Sequence, residues 1–292
     1  MGQHSGRLEW EAQRENADLG QKKQQSEFLS SRRAGGALEP DKFSRSTPNL
    51  ANRPYLSVVI PAYNEVVRIG STLDVLLPYL RSRRFPFEVL VVDDGSVDGT
   101  IDAVEQRSDS EVTVIPMVRN QGKGRAVRLG VERSKGEFIL VTDADLSVPI
   151  EDLERLEPYA RNGHAVVCGS RGLAESDIRV RQTFYREQMG RIFNFIVRCL
   201  GLSSFHDTQC GFKLLRAREA REIFSHCRIQ RFAFDVELLF VAHALGYQTT
   251  EVPISWRHVP ESRVRPGRDA ARMLWDVIGL RLHPIKSRSL RD

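Results

Sequence analysis

Cysteine is scarce in this sequence, and the four that are present have no spacing that would support a disulfide framework or a zinc site. Cys168, Cys199, Cys210 and Cys227 lie far apart, and no two of them form a CxxC pair. Disulfide-stapled domains and structural zinc sites both depend on closely or regularly spaced cysteines. We therefore expect reduced thiols in a cytosolic protein.

Long apolar runs are also missing. No window approaches the roughly 18 consecutive apolar residues that mark a membrane-spanning helix. The first residues contain no apolar core of the kind found in signal peptides, and Glu9, Glu11 and Glu15 make this region too acidic for a typical transit peptide. The sequence therefore predicts a chain without a transmembrane helix.

Large apolar side chains are few in residues 1–53, which are rich in Gln, Glu, Arg, Ser and Gly. Such a segment cannot bury enough apolar surface to offset the entropy lost on ordering, so we predict a disordered polar tail. The whole chain of 292 residues is 41% hydrophobic and 28% charged, which is typical of a globular protein. We expect a folded domain at residues 54–256 and a basic amphipathic segment at 257–292.

After the tail, apolar runs alternate with helical patterns. The runs lie at residues 56–63, 87–95, 112–117, 138–145 and 165–171, and the helices at about 66–84, after 98, at 124–134 and at 150–161. This alternation indicates βαβ units, and continuous hydrophobicity indicates strands that are covered on both faces. The prediction is an α/β, doubly wound domain. Further helices at about 183–200, 234–245 and 269–282 and a strand at 248–259 are expected in the second half.

Polar residues fall where the predicted strands end. Tyr63 and Glu65 follow the first strand, Asp93 and Asp94 end the second, and Arg171 follows the fifth. Ligands of open α/β sheets bind beyond the carboxyl ends of the strands, so these residues are candidates for a binding site. Each also has an ordinary interpretation, as part of a turn or as a charge at a helix start. Together they place acidic groups along one sheet edge, which turn chemistry alone does not predict.

The fourth strand ends in TDAD, in which Asp143 and Asp145 are separated only by Ala144. Residues i and i+2 of a strand face the same side, so these like charges would repel each other unless a cation lay between them. Mg²⁺ typically combines one or two carboxylates with substrate phosphates. We therefore expect a divalent cation that accompanies a nucleotide diphosphate. The alternative is a turn whose aspartates cap the next helix.

Two further stretches carry charge in unusual settings. NQGKGRA, at residues 120–126, is glycine-rich and opens a helix, but it lacks the spacing of a Walker A loop. Lys123 is therefore either a phosphate or nucleotide contact at a helix start or a solvated side chain in a glycine turn. Asp235 and Glu237 begin an otherwise apolar helix, and buried carboxylates need partners. We expect at least one of them to meet an arginine, a metal or a substrate.

The motifs resemble those of a known family. VVIPAYNE, VVDDGSVDGT, NQGKGRAV, VTDADLSVP, GSR, DTQCGFKLL and RFAFDVELL occur in the order typical of family 2 glycosyltransferases, and the similarity covers about residues 55–282. Within that family the chain resembles the polyprenyl-phosphate glycosyltransferases, above all the dolichyl-phosphate β-glucosyltransferases. The resemblance implies a GT-A fold, which is Rossmann-like, with a mixed, mostly parallel sheet between helices. It also implies inverting transfer from a nucleotide sugar, with UDP-glucose as the expected donor, to a polyprenyl or dolichyl phosphate.

The resemblance further implies roles for individual residues. Asp143 and Asp145 match the family's metal-binding pair, which holds Mg²⁺ or Mn²⁺ together with the donor diphosphate. Asp207 matches the candidate base, although we expect it to position groups at least as much as to remove a proton. The implied contacts with the uridine are made by Pro61, Tyr63, Glu65 and Asp93, and those with the nucleotide sugar by Asp94 and Lys123. Arg171, Gln209 and Lys213 would face the sugar and the acceptor phosphate, and Arg263 and Arg265 are further candidates for the acceptor phosphate.

Other functions stay open at this point. The motifs also suit another donor, such as GDP-mannose, and a soluble or polysaccharide acceptor is the main alternative to a lipid phosphate. An inactive sugar-nucleotide-binding protein is disfavoured by the intact Asp143, Asp145 and Asp207. Nucleic acid is not expected as a partner, since no module of stacking aromatic residues accompanies the basic residues.

Membrane contact is expected through the C-terminal segment. The eukaryotic dolichol enzymes of this type carry an N-terminal anchor, whereas the corresponding region here is polar. Residues 257–292 contain nine Arg or Lys against four Asp or Glu. A helix with Met273, Leu274, Trp275 and Ile278 on one face would bind the anionic cytoplasmic face of a membrane peripherally. The alternatives are that this helix packs on the domain, or that the helix at 183–200 makes the contact.

Overall fold

The computed structural model describes residues 53–180, 205–257 and 268–282, in which strands and helices alternate as the sequence predicted. The strands are β1 (Leu56–Ala62), β2 (Phe87–Asp93), β3 (Val112–Pro116), β4 (Phe138–Val141), β5 (Val166–Ser170), β6 (Asp177–Val180), β7 (Lys213–Arg216), β8 (Thr249–Pro253) and β9 (Ser255–Arg257). The helices are α1 (Val66–Ser82), α2 (Thr100–Glu105), α3 (Lys123–Arg133), α4 (Leu153–Arg161, entered through a 3₁₀ turn at Ile150–Asp152), α5 (Ala217–His226), α6 (Phe234–Ala244) and α7 (Arg268–Leu282).

Seven of the strands form one sheet in the order β3-β2-β1-β4-β7-β5-β8. β1 pairs in parallel with β2 and β4, and parallel pairing also joins β2 to β3 and β5 to β8. β7 runs antiparallel to both of its neighbours. In the described part of the chain, a second, two-stranded sheet pairs β6 with β9. The expected α/β architecture with a mixed, mostly parallel sheet is confirmed.

Both faces of the large sheet are covered at β1, β2, β4 and β5, which explains why these strands are continuous apolar runs. In β1, Val58 and Ile60 pack into one apolar cluster with α1 and α4, and Val59 packs into another with α3, α5 and α6. All three side chains are fully buried. Burial on both sides also specifies the strand register, because a slip of one residue would exchange the two faces.

One edge of the sheet collects the ends of several strands. Ala62 and Asp93, the last residues of β1 and β2, are register partners. Val141 ends β4 and is paired with Lys213, the first residue of β7, which is also paired with Cys168 of β5. Because β7 is antiparallel, its amino end lies at the same edge as the carboxyl ends of β4 and β5. Residues from both halves of the chain therefore meet at this edge.

The second half of the chain differs from the prediction in detail. The single strand expected at 248–259 is two strands, β8 and β9, which lie in different sheets. The apolar pattern does not predict β7, whose four residues include two charges, nor does it predict α5. The expected helix at 183–200 lies outside the described residues, as does nearly all of the tail expected at 1–53.

Helix α7 packs against the domain with one face and exposes the other. Met273 and Val277 are buried in the apolar cluster that contains α6, whereas 77% of Trp275 and 37% of Ile278 are exposed. Met273, which we expected on an outer apolar face, therefore belongs to the core, since residues i and i+4 of a helix share a face. Within the described part of the chain, no helix combines the length and the apolar character needed to cross a membrane.

Candidate active site

The sheet edge at which these strands meet brings together charged residues from four separate segments. Burial alone would raise the pKa of the Asp143 carboxyl, but Lys123, Lys213 and Arg171 together hold that pKa below its ordinary value. Lys123 follows the glycine-rich turn, Lys213 begins β7, and Arg171 follows β5. The clustering predicted from strand ends is therefore present, and it includes one residue, Lys213, whose strand was not predicted.

The turn after β1 carries the residues expected to meet a nucleotide. Glu65 is largely buried, and its carboxylate forms two hydrogen bonds with Arg68, with N–O distances of 2.7 and 2.8 Å. Tyr63 is exposed over 38% of its surface, and Pro61 is partly buried at the end of β1. Contacts of Pro61, Tyr63 and Glu65 with a nucleotide stay predictions.

Asp93 and Asp94 differ in what they bind. Asp93 is fully buried; its Oδ2 accepts a hydrogen bond from Ser96 N–H at 2.9 Å, and its Oδ1 has no hydrogen-bond partner among the described residues. Asp94 accepts hydrogen bonds from Gln121 N–H at 2.7 Å and Gly122 N–H at 2.8 Å, and burial raises its pKa. Asp94 thus holds the glycine-rich turn in place, whereas the buried Oδ1 of Asp93 is an acceptor that calls for a donor.

Asp143 is held from two sides. The Nζ of Lys123, which opens α3, lies 2.5 Å from Asp143 Oδ1. Burial opposes the charge of Lys123, but Asp143 and Asp235 outweigh it and raise the pKa of the ammonium. A Cβ built on Gly211 would lie 2.2 Å from Asp143 Oδ2, so only glycine leaves room for the carboxylate there. The ion pair and the close glycine backbone together determine the orientation of Asp143.

Asp145 shares this region with Asp143. Its Oδ1 accepts a hydrogen bond from Ser147 N–H at 3.0 Å. Burial and then the charge of Asp143 raise the pKa of its carboxyl. The expected repulsion is therefore present, although β4 ends at Val141 and both aspartates lie in the turn after it rather than in the strand. A divalent cation would relieve this repulsion. The oxygen donors present fit a hard cation such as Mg²⁺ or Mn²⁺.

Arg171 and Asp207 form a two-point ion pair. Arg171 Nε lies 2.6 Å from Asp207 Oδ2, and Nη2 lies 2.9 Å from Oδ1. The backbone N–H groups of Arg171 and Gln209 also donate to this carboxylate. Burial would raise the pKa of Asp207, but the Arg171 guanidinium more than compensates and lowers it. Asp207 is therefore a buried, ionised group with little freedom to turn.

Lys213 and Asp235 form a second buried pair beneath the edge. Lys213 is 1% exposed, and its Nζ lies 2.5 Å from Asp235 Oδ1 and also donates to the carbonyl oxygen of Cys210. Burial opposes the charge of Lys213, but Asp235 raises the pKa of the ammonium above its ordinary range. Lys213 thus has a structural partner, and its expected contact with a sugar or phosphate stays a prediction.

The two carboxylates at the start of α6 have partners other than those expected. Asp235 meets Lys213, and Glu237 accepts hydrogen bonds from Arg228 N–H at 2.8 Å and Ile229 N–H at 2.7 Å. Neither contact is with the arginine or metal that the sequence suggested. Burial of carboxylates was predictable, but backbone amides are as good a partner as an arginine, and sequence does not distinguish them.

Some residues lie outside the site as sequence reasoning defined it. Arg263 and Arg265, the acceptor-phosphate candidates, fall outside the described residues. Gly211 was part of a recognised motif but was not singled out, although a glycine between polar motif residues signals a close approach. Glu251 contacts the Asp207 turn and Trp256 contacts Arg171, whereas the sequence pattern predicts only a strand for these two residues.

Comparison with known proteins decides the family. A family model described as glycosyl transferase family 2 matches residues 57–224. The chain belongs to glycosyltransferase family 2. The enzyme is 39% identical over 243 residues to dolichyl-phosphate β-glucosyltransferase of Mus musculus, with 78% of this chain and 75% of the relative covered. It is 35% identical over 241 residues to the protein of the same name from Dictyostelium discoideum, with 78% of this chain and 74% of the relative covered.

Similarity to solved structures identifies the fold of this glycosyltransferase. Glucosyl-3-phosphoglycerate synthase from Mycobacterium tuberculosis, in complex with UDP, superposes with a TM-score of 0.57 at 20% sequence identity, covering 82% of this chain and 85% of that chain. Similarity at this level of identity carries the fold alone, which is the GT-A fold. The site described above lies where ligands of such open α/β sheets bind, beyond the carboxyl ends of the strands.

Proposed function

We propose that this family 2 glycosyltransferase transfers a glucosyl residue, with inversion, from UDP-glucose to the phosphate of a polyprenyl or dolichyl phosphate. The similarity to proteins named dolichyl-phosphate β-glucosyltransferase, which the chain matches over about three quarters of their length, supports this proposal. Arg171, Asp207 and Lys213, which we assign to the acceptor side, lie at the same sheet edge as the carboxylates assigned to the donor.

The choice of a phosphate as acceptor rests on the hydrogen bonds and the protonation state of the Asp207 carboxylate. Its carboxylate is bonded on both oxygens to Arg171, and its pKa is lowered, so it is a weak base. A saccharide hydroxyl would have to lose a proton during transfer. A phosphate monoester has a second pKa of about 6 and is largely dianionic at pH 7, so it needs no base. This supports a phosphate as the nucleophile.

Donor binding is assigned to the part of the edge formed by β1, β2 and β4. The buried Oδ1 of Asp93 would accept a hydrogen bond from the base or ribose of the nucleotide. Asp143 and Asp145 would hold Mg²⁺ or Mn²⁺, which neutralises the charge of a departing diphosphate. Lys123 would meet the same diphosphate, and Arg171 would meet the acceptor phosphate. These residues orient two anionic substrates and stabilise the charge that develops on the leaving group.

Transfer assays with radiolabelled donors test the proposal. With UDP-glucose, label is expected in dolichyl phosphate and absent from free dolichol, because the phosphate oxygen is the nucleophile. Transfer from GDP-mannose is expected to be slower by about 10²-fold or more, because a site that hydrogen-bonds one base leaves polar groups unpaired with another. Equal labelling of free dolichol, label only in a soluble saccharide, or equal use of both donors would each contradict part of the proposal.

Replacing Asp207 by asparagine is expected to lower kcat by about 10²-fold, because Arg171 loses its charged partner and its fixed position. The pH profile of kcat between pH 6 and 8 should keep its shape. A carboxyl whose pKa lies below the ordinary value of about 3.9 stays ionised throughout that range, so its removal deletes no titration. If the variant instead loses an ionisation between pH 6 and 8, Asp207 acts as the base and the phosphate argument fails.

We also propose that the outer face of α7 contacts a membrane surface, where a lipid acceptor would be found. Trp275 and Ile278 are exposed on this face, and Arg272 is exposed nearby. An exposed tryptophan beside basic residues suits the boundary between anionic headgroups and acyl chains. This contact would be peripheral.

Binding to anionic phospholipid vesicles tests the α7 contact. Replacing Trp275 by alanine is expected to weaken binding by about tenfold, as loss of one inserted apolar side chain predicts. Binding should also weaken as salt rises, since headgroup attraction to basic residues is screened. Val67, which is 86% exposed on α1, provides a matched control as Val67→Ala. Unchanged binding in Trp275→Ala, with loss on deletion of residues 1–50, would move the contact to the N-terminal tail.

A further inference from the structure

Strand β8 holds the turn that carries Asp207. The carboxylate of Glu251 accepts hydrogen bonds from two successive backbone amides, Oε1 from Asp207 N–H and Oε2 from His206 N–H, each at 2.7 Å. The ring Nδ1 of His206 lies 3.1 Å from the same Oε2, and the Glu251 side chain is only 6% exposed. One buried side chain therefore determines where the backbone of this turn lies, and with it the direction of the Asp207 carboxylate.

Strand β9 restricts Arg171 from another direction. The Cζ of Arg171 lies 5.6 Å from the centroid of the Trp256 ring, and Trp256 is 8% exposed. Asp207 engages Nε and Nη2 of the same guanidinium. Among the described residues no hydrogen bond engages Nη1. The ring and the carboxylate therefore hold two sides of the group, and Nη1 is left to meet an anion.

The same segment is bonded to the loop that carries Asp145. Arg257 N–H donates to the carbonyl oxygen of Ser147 at 2.9 Å, and Ser147 N–H donates to Asp145 Oδ1 at 3.0 Å. Ile254, between β8 and β9, donates its N–H to the carbonyl oxygen of Ser170 at 3.3 Å, one residue before Arg171. Strands β8 and β9 thus contact both the Arg171–Asp207 pair and the Asp145 loop.

We propose that Glu251 and Trp256 are positioning residues, which act through Asp207 and Arg171 to hold Nη1 of the guanidinium at a fixed place relative to Asp143 and Asp145. The inference rests on the proposed function for the identity of the anion that Arg171 meets. Misplacement of a reacting group by about 1 Å costs on the order of 10²-fold in rate. Loosening either contact should therefore lower kcat, while donor binding by β1, β2 and β4 is little changed.

Three variants and one control test this inference kinetically. Glu251→Gln keeps the side-chain size but leaves one acceptor oxygen for two amides; Trp256→Leu removes the ring, and Trp256→Phe keeps one. At saturating UDP-glucose and dolichyl phosphate, kcat should fall by about tenfold or more in Glu251→Gln and Trp256→Leu, and by less than about threefold in Trp256→Phe. The KM for UDP-glucose should stay within about twofold.

Glu88→Gln is the matched control. Glu88 Oε1 accepts hydrogen bonds from Ser57 Oγ and Lys135 N–H, each at 2.6 Å, at the opposite edge of the sheet. This variant makes the same carboxylate-to-amide change far from Arg171, and one oxygen can still accept both bonds, so its kcat should match the wild type. A loss of kcat in Glu88→Gln as large as in Glu251→Gln would show a general loss of stability and overturn the inference.

Double variants test whether Glu251 and Trp256 act through Arg171. In an Arg171→Ala background, adding Glu251→Gln or Trp256→Leu should lower kcat by less than about twofold, because the group being positioned is already gone. If both substitutions lower kcat as much in this background as in the wild type, Glu251 and Trp256 do not act through Arg171 and the inference is wrong.

Hydrogen exchange separates this inference from the proposed function, because it requires no substrate. The backbone amides of His206 and Asp207 should exchange about tenfold faster in Glu251→Gln than in the wild type or in Glu88→Gln. If the wild type transfers no glucose to dolichyl phosphate, the proposed function fails and exchange alone decides: faster exchange supports the inference and unchanged exchange overturns it. If the wild type is active and both Glu251→Gln and Trp256→Leu keep kcat within about twofold, the inference is overturned.

Discussion

Replacing Asp143 by asparagine is expected to reduce kcat by about 10³-fold while the protein stays folded. The change removes a proposed metal ligand and the ion-pair partner of Lys123. It thereby disrupts the charge-stabilising arrangement on which departure of a diphosphate depends. Steady-state transfer from UDP-glucose, with circular dichroism as the check on folding, measures the effect. Asp109→Asn is the control, because Asp109 pairs with Arg81 and Arg107 before β3, at the opposite edge.

The same loss is expected from Gly211→Ala, which leaves the charge of Asp143 unchanged. An added Cβ would lie 2.2 Å from Asp143 Oδ2, so the carboxylate must move. Gly70→Ala provides the steric control, since a Cβ there meets nothing within 4 Å. Full activity of Asp143→Asn, of Asp145→Asn and of the wild type in excess chelator would disprove the metal assignment. Full activity of Gly211→Ala would show that the orientation of Asp143 is unimportant.

Replacing Lys213 by methionine is expected to lower the free energy of unfolding by about 3–5 kcal/mol, because it leaves Asp235 as an unpaired charge in the interior. Lys213 is 1% exposed and Asp235 is 5% exposed, so water cannot replace the lost partner. Adding Asp235→Asn should recover at least about half of the loss, since the second change removes the stranded charge. Urea unfolding followed by circular dichroism measures all three proteins.

An exposed ion pair supplies the comparison for Lys213. Arg81 is 46% exposed and pairs with Asp109 and Glu111, so Arg81→Met should lower the free energy of unfolding far less than Lys213→Met does. If Lys213→Met is as stable as the wild type but inactive, Lys213 serves the substrates rather than the fold. If the double variant is less stable than Lys213→Met, the stranded-charge explanation is incorrect.

The sequence was most informative about the first half of the domain. The runs that became β1, β2, β4 and β5 are continuous and apolar because both faces of the sheet are covered there, and this property is local. The spacing of Asp143 and Asp145 indicated two close carboxylates, but the strand geometry used for that prediction is wrong, because β4 ends at Val141 and both residues lie in the turn after it. Asp93, Asp94 and Arg171 could be grouped because the carboxyl ends of parallel strands share an edge. These deductions use only spacing along the chain.

The identities of the partners could not be predicted in this way. Spacing did not reveal that Lys123 lies against Asp143 or that Lys213 is buried against Asp235. The contacts of both lysines with substrates stay predictions. The two-point contact of Asp207 with Arg171, 36 residues earlier in the chain, could not be predicted from spacing either. A charged side chain has many oppositely charged residues as potential partners, and the local sequence does not predict which of them it pairs with.

By itself the sequence determined the α/β class, the family, the edge of the sheet that carries the chemistry, and most of the charged residues at that edge. Only the tertiary structure decided which charges neutralise one another, that β7 enters the sheet antiparallel and delivers Lys213 to the edge, and that Glu251 and Trp256 support Asp207 and Arg171. The physical reason is that the positions of strands and helices follow from local patterns of burial along the sequence. Strand order and ion pairing instead follow from contacts between residues that are far apart in the chain. The free energies of these contacts depend on the burial that the whole fold creates.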